Sequence, residues 1–99
     1  MPTTLIVLAH PDRRSFNGAW SDATEAAARA QGDTVLRSDL CQIGFDAVER
    51  AAHYADWPDG TAFDPLKAQE GAAEADKTPS DVAAEVDKIR QADRIVLHF

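Results

Sequence analysis

Apolar and polar positions divide the chain into two ordered ends and a polar middle. Leu5-Ile6-Val7-Leu8-Ala9 is a continuous apolar run without alternation, the pattern of a strand covered on both faces. It predicts a central parallel strand. After a polar turn over 10–15, Phe16, Ala19, Trp20, Ala23, Ala27 and Ala30 recur at helical spacing, predicting a helix that packs this face, Trp20 included. Gly32 supplies the usual C-terminal stop, and Thr34 to Leu40 predicts a second strand. From Ser80 the helical pattern returns, with Val82, Val86 and Ile89 on one face and Ser80 or Asp81 as N-cap beside Pro79. It leads into a third strand, Arg94-Ile95-Val96-Leu97-His98-Phe99. The order strand, helix, strand, excursion, helix, strand predicts an α/β fold: a doubly wound parallel sheet with helices on both faces.

The excursion at 46–79 contains only Val48, Phe63 and Leu66 from the Leu/Ile/Val/Phe set, so it is expected to hold no core of its own. Trp57-Pro58-Asp59-Gly60 marks a turn within it, flanked by Ala/Glu-rich pieces suited to short helices. A segment this long between core elements is expected to be an arm that orders against a second subunit or a ligand.

Composition sharpens the picture. Of 99 residues, 44% are hydrophobic, but 19 of these are Ala, so Leu, Ile, Val and Phe number only 20. That lies near the edge, about 20%, below which a charged chain tends to be disordered, and the shortage is concentrated in the excursion. The net charge of −7 argues against a nucleic-acid partner, whose phosphates are neutralised by Lys and Arg. Eight acids against three bases in 46–79 account for most of it. The longest aliphatic run is too short for a membrane span, and a single Cys41 points to a reducing, cytoplasmic setting. Cys41 itself reads as a small buried residue.

The turn Ala9-His10-Pro11-Asp12-Arg13-Arg14-Ser15-Phe16-Asn17 carries the chemistry. In open α/β sheets ligands bind beyond the carboxyl ends of the strands, where a helix N-terminus presents free N–H groups and a partial positive charge. His10, Ser15 and Asn17 add side-chain donors, and Arg13 and Arg14 are expected to make the turn net positive. A phosphate cradle results. The residues also admit plainer roles: Ser15 as a helix N-cap, Asn17 as a surface residue, the arginines as solvated charge. No Gly-x-Gly-x-x-Gly or Walker pattern is present. His53 and Tyr54 read as surface or dimer contacts, and His98 either faces a cofactor edge or is a satisfied core histidine.

These residues resemble the opening of the flavodoxin-like NAD(P)H:quinone oxidoreductases, the DT-diaphorase group. The similarity runs from Leu5–Pro11 and Ser15-Phe16-Asn17 through Arg37–Leu40, Gly44-Phe45-Asp46, Phe63–Leu66 and Asp81–Glu85 to Ala92–Phe99. It implies a flavodoxin-like sheet of strand order 2-1-3-4-5 in the parent, with residues 1–99 forming the amino-terminal part of a single domain. It also implies a homodimeric flavoenzyme that takes hydride from NADH or NADPH and passes two electrons to a quinone. The flavin would be FAD, with FMN as the alternative, bound at its phosphate region by His10, Ser15, Phe16 and Asn17. Gln69 is a further candidate for flavin contact, and no residue of this chain is assigned to the chemical step. The activity would belong to a longer parent, whose ring-holding loop and last two strands lie beyond Phe99. In that strand order the third strand is internal, so a 99-residue chain alone is expected to expose a bare edge and to aggregate or unfold. Two other readings stand beside this one: a non-catalytic flavodoxin-like module, and a zinc-dependent N-acetylglucosaminyl deacetylase, whose opening Ala9-His10-Pro11-Asp12 resembles. Arg13 and Arg14 stand where that second family has its acidic pair, which counts against zinc.

Overall fold

The computed structural model describes residues 1–99. Its elements are β1 (Thr3–Leu8), α1 (Phe16–Ala30), β2 (Thr34–Asp39), a 3-10 turn (Ala51–His53), α2 (Pro65–Glu74), α3 (Ser80–Gln91) and β3 (Arg94–His98). They form two compact units, one of residues 1–45 with 85–99 and the other of residues 46–84.

In the first unit three strands make one parallel sheet in the order β2-β1-β3. The continuous apolar run is therefore the middle strand, with Leu5, Ile6 and Leu8 almost fully buried. Side chains alternate across a strand, so the two faces can be told apart by their partners. Arg37 reaches Ser21 and Glu25 of α1, whereas its neighbour Ser38 reaches Glu85 of α3. Through the β1 register, Thr4, Ile6 and Leu8 share the α1 face with Arg37, Val96 and His98.

Helix α1 packs with the face opposite to the expected one. Its buried residues are Gly18, Ser21 and Ala28, while Phe16, Ala19, Trp20, Ala23, Ala27 and Ala30 are exposed, Phe16 at 79% and Trp20 at 55%. Alanine carries little hydrophobic weight, so its periodicity is a weak guide to the packed face. What this sheet face demands is small residues and hydrogen-bond partners. Arg37 lies across it, donating to the Ser21 hydroxyl (2.9 Å), the Ser21 carbonyl (3.3 Å), Glu25 (3.2 Å) and Asp39 (2.9 Å). A largely buried guanidinium is tolerable only when its donors are met in this way. The helix ends as expected: Gly32 takes φ +88°, and the amides of Gly32 and Asp33 return to the carbonyls of Arg29 and Ala28 in a Schellman motif.

On the other face, Glu85 and Lys88 join α3 to β2. Glu85 accepts from the buried Ser38 hydroxyl, and the Lys88 ammonium donates to the Arg37 carbonyl (2.9 Å) and to Ser38 Oγ (3.2 Å). The expected apolar face of this helix is only partly used, since Val82 and Ile89 remain exposed. Ser80 is the first helical residue rather than a cap. Ile95, Leu97 and Phe99 of the third strand region are also exposed, and β3 is hydrogen-bonded to β1 alone.

The second unit has a small core after all. Tyr54 and Trp57, which a count of aliphatic residues leaves out, pack against Phe63 with ring centroids 5.9 and 5.6 Å apart. Ala68 of α2 is buried. Asp64 caps α2 by accepting from the Lys67 amide, with Pro65 at the first helical position. Gly60 closes the turn at φ +73°.

Candidate functional site

The site forms where β1 ends and α1 begins. The Ala9 amide still pairs with the His98 carbonyl (2.9 Å), after which the chain leaves the sheet and turns through residues 10–15. Two short hydrogen bonds shape that turn. The Asp12 amide donates to His10 Nδ1 (3.0 Å), and the Ser15 amide donates to the Asp12 carbonyl (3.1 Å). Nδ1 also lies 3.1 Å from the Asp12 carbonyl oxygen, so both backbone groups of Asp12 hold the ring in the turn. The ring's Nε2 has no partner within the protein.

Ser15 is the N-cap of α1 and accepts from the Gly18 amide (3.1 Å), so the local reading as a cap is correct. Its O–H remains as a donor. The Phe16 and Asn17 amides precede the first intrahelical bond and have no acceptor in the protein. They are the free donors of the helix start, and the Asn17 side chain stands beside them without a partner of its own. Thus His10, Ser15, Phe16 and Asn17 come together through one turn and one cap. Phe16 contributes by its backbone, since its ring turns outward against Trp20 at 5.7 Å.

The arginines do not make the turn positive, contrary to expectation. Arg14 is held by Asp12 through its Nε and a terminal nitrogen, both at 3.1 Å. Arg13 pairs with Asp22 (2.8 Å) and lies 3.2 Å from Asp39, at ion-pair distance but out of line for a hydrogen bond. Their charge is spent on neighbouring acids. The Arg14 side chain, and then its amide, hold the Asp12 carboxyl below the usual range. What the turn leaves free is therefore the helix dipole with its two amides, His10 Nε2 and the Asn17 side chain.

Two further residues shape the site. A Cβ on Gly18 would lie 1.9 Å from the Arg13 carbonyl oxygen, so the turn rests directly on the helix backbone at this glycine. Glycine within the first turn of a helix was the available signal. The Gln42 amide donates to the carbonyls of His10 (3.2 Å) and Pro11 (3.4 Å), tying the loop after β2 to the turn. Nothing in the local sequence pattern marks it. His98 is only 6% exposed, bonded to Thr24 Oγ1 (3.1 Å) and edge-on to Trp20 at 5.3 Å. It is a satisfied core histidine. Cys41 is exposed, not buried. In the second unit, Gln69 donates to both oxygens of Glu49 at 2.8 and 3.0 Å, and His53 bonds Asp46 at 2.9 Å. No helix is long and apolar enough to cross a membrane.

A parallel α/β sheet of order 2-1-3 with an open helix start after its middle strand is a flavodoxin-like arrangement. Residues 2–99 match the family described as having the flavodoxin-like fold, and the chain belongs to that family. Among curated proteins it is similar to NAD(P)H dehydrogenase [quinone] 1 of Rattus norvegicus, 33% identical over 97 residues, covering 96% of this chain and 35% of that one. It is also similar to a ribosyldihydronicotinamide dehydrogenase-like protein of Penicillium crustosum, 30% identical over 95 residues, covering 96% and 36%. The crystal structure of a candidate quinone reductase from Klebsiella pneumoniae superposes with a TM-score of 0.90 at 27% identity, covering 98% of this chain and 38% of that chain. The chain thus spans about a third of the length of the curated relatives it matches.

Proposed function

We propose that the chain is the amino-terminal part of a flavin-dependent NAD(P)H:quinone oxidoreductase, and that the turn over residues 10–18 holds the phosphate region of the flavin. The observation that carries this reading is the pair of unpartnered amides, Phe16 and Asn17, at a helix start beyond the carboxyl end of the middle strand. The residues fit the group. They offer donors rather than competing carboxylates, and Gly18 keeps the turn close against the helix. In this reading the two amides, the Asn17 side chain and His10 Nε2–H donate to phosphate oxygens. Ser15 positions the helix start and can add its hydroxyl. The bound flavin would supply two-electron hydride transfer between a nicotinamide and a quinone, and these residues bind and orient it.

The reading includes FAD as the flavin, with FMN as the alternative, and NADH or NADPH as hydride donor. It also includes a cytoplasmic homodimer in which residues 1–99 belong to one flavodoxin-like domain with its excursion at 46–79. The names of the relatives support the activity and the cradle supports the cofactor.

Flavin fluorescence tests it. Titrating FAD against the protein carrying this sequence should give saturable quenching, and Asn17→Ala or His10→Ala should each weaken binding by roughly tenfold to a hundredfold, the worth of one charge-assisted hydrogen bond. Unchanged affinity in both variants removes the cradle assignment. Protein that purifies with zinc and without flavin overturns the flavin reading in favour of the deacetylase.

A further inference from the structure

The second unit contains a cavity of about 390 Å³. We propose that it binds a flat aromatic molecule carrying one anionic group, of the aryl carboxylate class, independently of the flavin reading. Its volume lies within the roughly 300–1,000 Å³ of small-molecule sites, and its walls follow their usual composition, mainly apolar with a few polar groups. Its lining includes Tyr54, Trp57 and Pro58 together with Ala68, Gly71 and Ala72 of α2. Two aromatic side chains and the small residues of α2 in one lining suit an aromatic guest.

Charge selects the guest further. Most polar groups at the cavity are already engaged within the unit. The Trp57 indole N–H donates to the Thr61 carbonyl (3.3 Å), the Tyr54 hydroxyl to Glu49 (3.0 Å), and Lys77 pairs with Asp56 (2.8 Å). His53 is bonded to Asp46 (2.9 Å). Lys67 also lines the cavity, and no carboxylate pairs with its ammonium. Because Lys67 is exposed, its stem can cover apolar wall while the ammonium stays in water at the mouth. One unneutralised cation beside a cavity with aromatic lining matches a ring system bearing one carboxylate. The acidity of the segment does not reverse this, because separated surface acids are screened over about 8–10 Å while the ammonium would be in contact.

The test is an NMR titration of the whole chain with 2-naphthoate, with 2-naphthylmethanol as its neutral counterpart. Saturable shifts are expected at the Trp57 Nε1–H and at the amides of Lys67, Ala68, Gly71 and Ala72. The Trp57 signal is distinguished from that of Trp20 with Trp20→Phe. Lys67→Gln should weaken 2-naphthoate about three- to tenfold and leave 2-naphthylmethanol unchanged. Gly71→Leu provides a second route, since Gly71 lines the cavity and a Cβ there meets no atom within 4 Å, so the added side chain takes up cavity space. It should abolish binding while the far-UV circular dichroism stays as in the parent. Shifts elsewhere or none at millimolar ligand overturn the site. Equal binding of the neutral probe, or an unaffected Lys67→Gln, overturns the ligand class.

Discussion

Gly18→Ala should separate close packing from helix propensity, because the same change at Gly71 should have the opposite sign. At Gly18 the added methyl would stand 1.9 Å from the Arg13 carbonyl oxygen and 2.7 Å from its carbon, both backbone atoms that cannot swing aside. The turn must retreat by roughly 1.5 Å to restore ordinary contact, a small-to-large overpacking that costs about 1–3 kcal/mol. The displacement also stretches the Ser15 cap onto the Gly18 amide, worth about 1 kcal/mol, and helix propensity returns a similar amount in favour of alanine. The net expectation is about 1–3 kcal/mol of lost stability. At Gly71, in α2, nothing lies within 4 Å of a Cβ, so only propensity acts and the change should stabilise by about 0.5–1 kcal/mol. Urea denaturation of the two single variants beside the parent measures both, and amide shifts over residues 10–18 report whether the turn has moved. A Gly18→Ala protein as stable as the Gly71→Ala protein, with unmoved amides in the turn, would falsify the claim that this glycine seats the cradle.

Other consequences follow from the polar contacts inside the first unit. Ser38→Ala leaves Glu85 and Lys88 without their shared hydroxyl on β2 and should cost about 1–3 kcal/mol in denaturant melts, whereas Ser80→Ala at the exposed start of α3 should cost under about 0.5. Thr4→Val keeps the shape of a buried central-strand residue but removes the donor to Asp33 (2.9 Å), for an expected loss of about 1–3 kcal/mol; no change in urea midpoint would show that the bond is not a stabilising one. The Asp12 carboxyl is held low by Arg14, so the stability this pair contributes is present above the carboxylate's unfolded pKa, about 3.9, and is lost as pH falls through the lower folded value. Carbon-detected titration of Asp12 should move back toward the ordinary value in Arg14→Gln, and an unmoved curve would mean that the pair does not persist in solution.

The pattern of the chain by itself indicated the order of the core elements and the central position of β1, because a short apolar run without alternation suits a strand covered on both faces, and Leu5, Ile6 and Leu8 are buried there. The cap at Ser15 and the stop at Gly32 were equally legible, since each rests on local backbone chemistry that needs no distant partner. The helix faces were not. Six apolar positions of α1 are exposed, though Trp20 among them touches the sheet at His98, and Gly18, Ser21 and Ala28 are buried instead, because a buried Arg37 and a close turn require small and hydrogen-bonding neighbours. The charge of the cradle was also a tertiary matter. Arg13 and Arg14 look cationic when read along the chain, but Asp22 and Asp39, brought close by folding, and the adjacent Asp12 consume that charge. Local sequence thus marked the turn at residues 10–17 as the candidate site, while folding decided that backbone amides rather than arginines are its free donors. The physical reason is range: strands, caps and stops are set within a few residues, whereas a packed face and a net local charge depend on what the rest of the chain brings alongside.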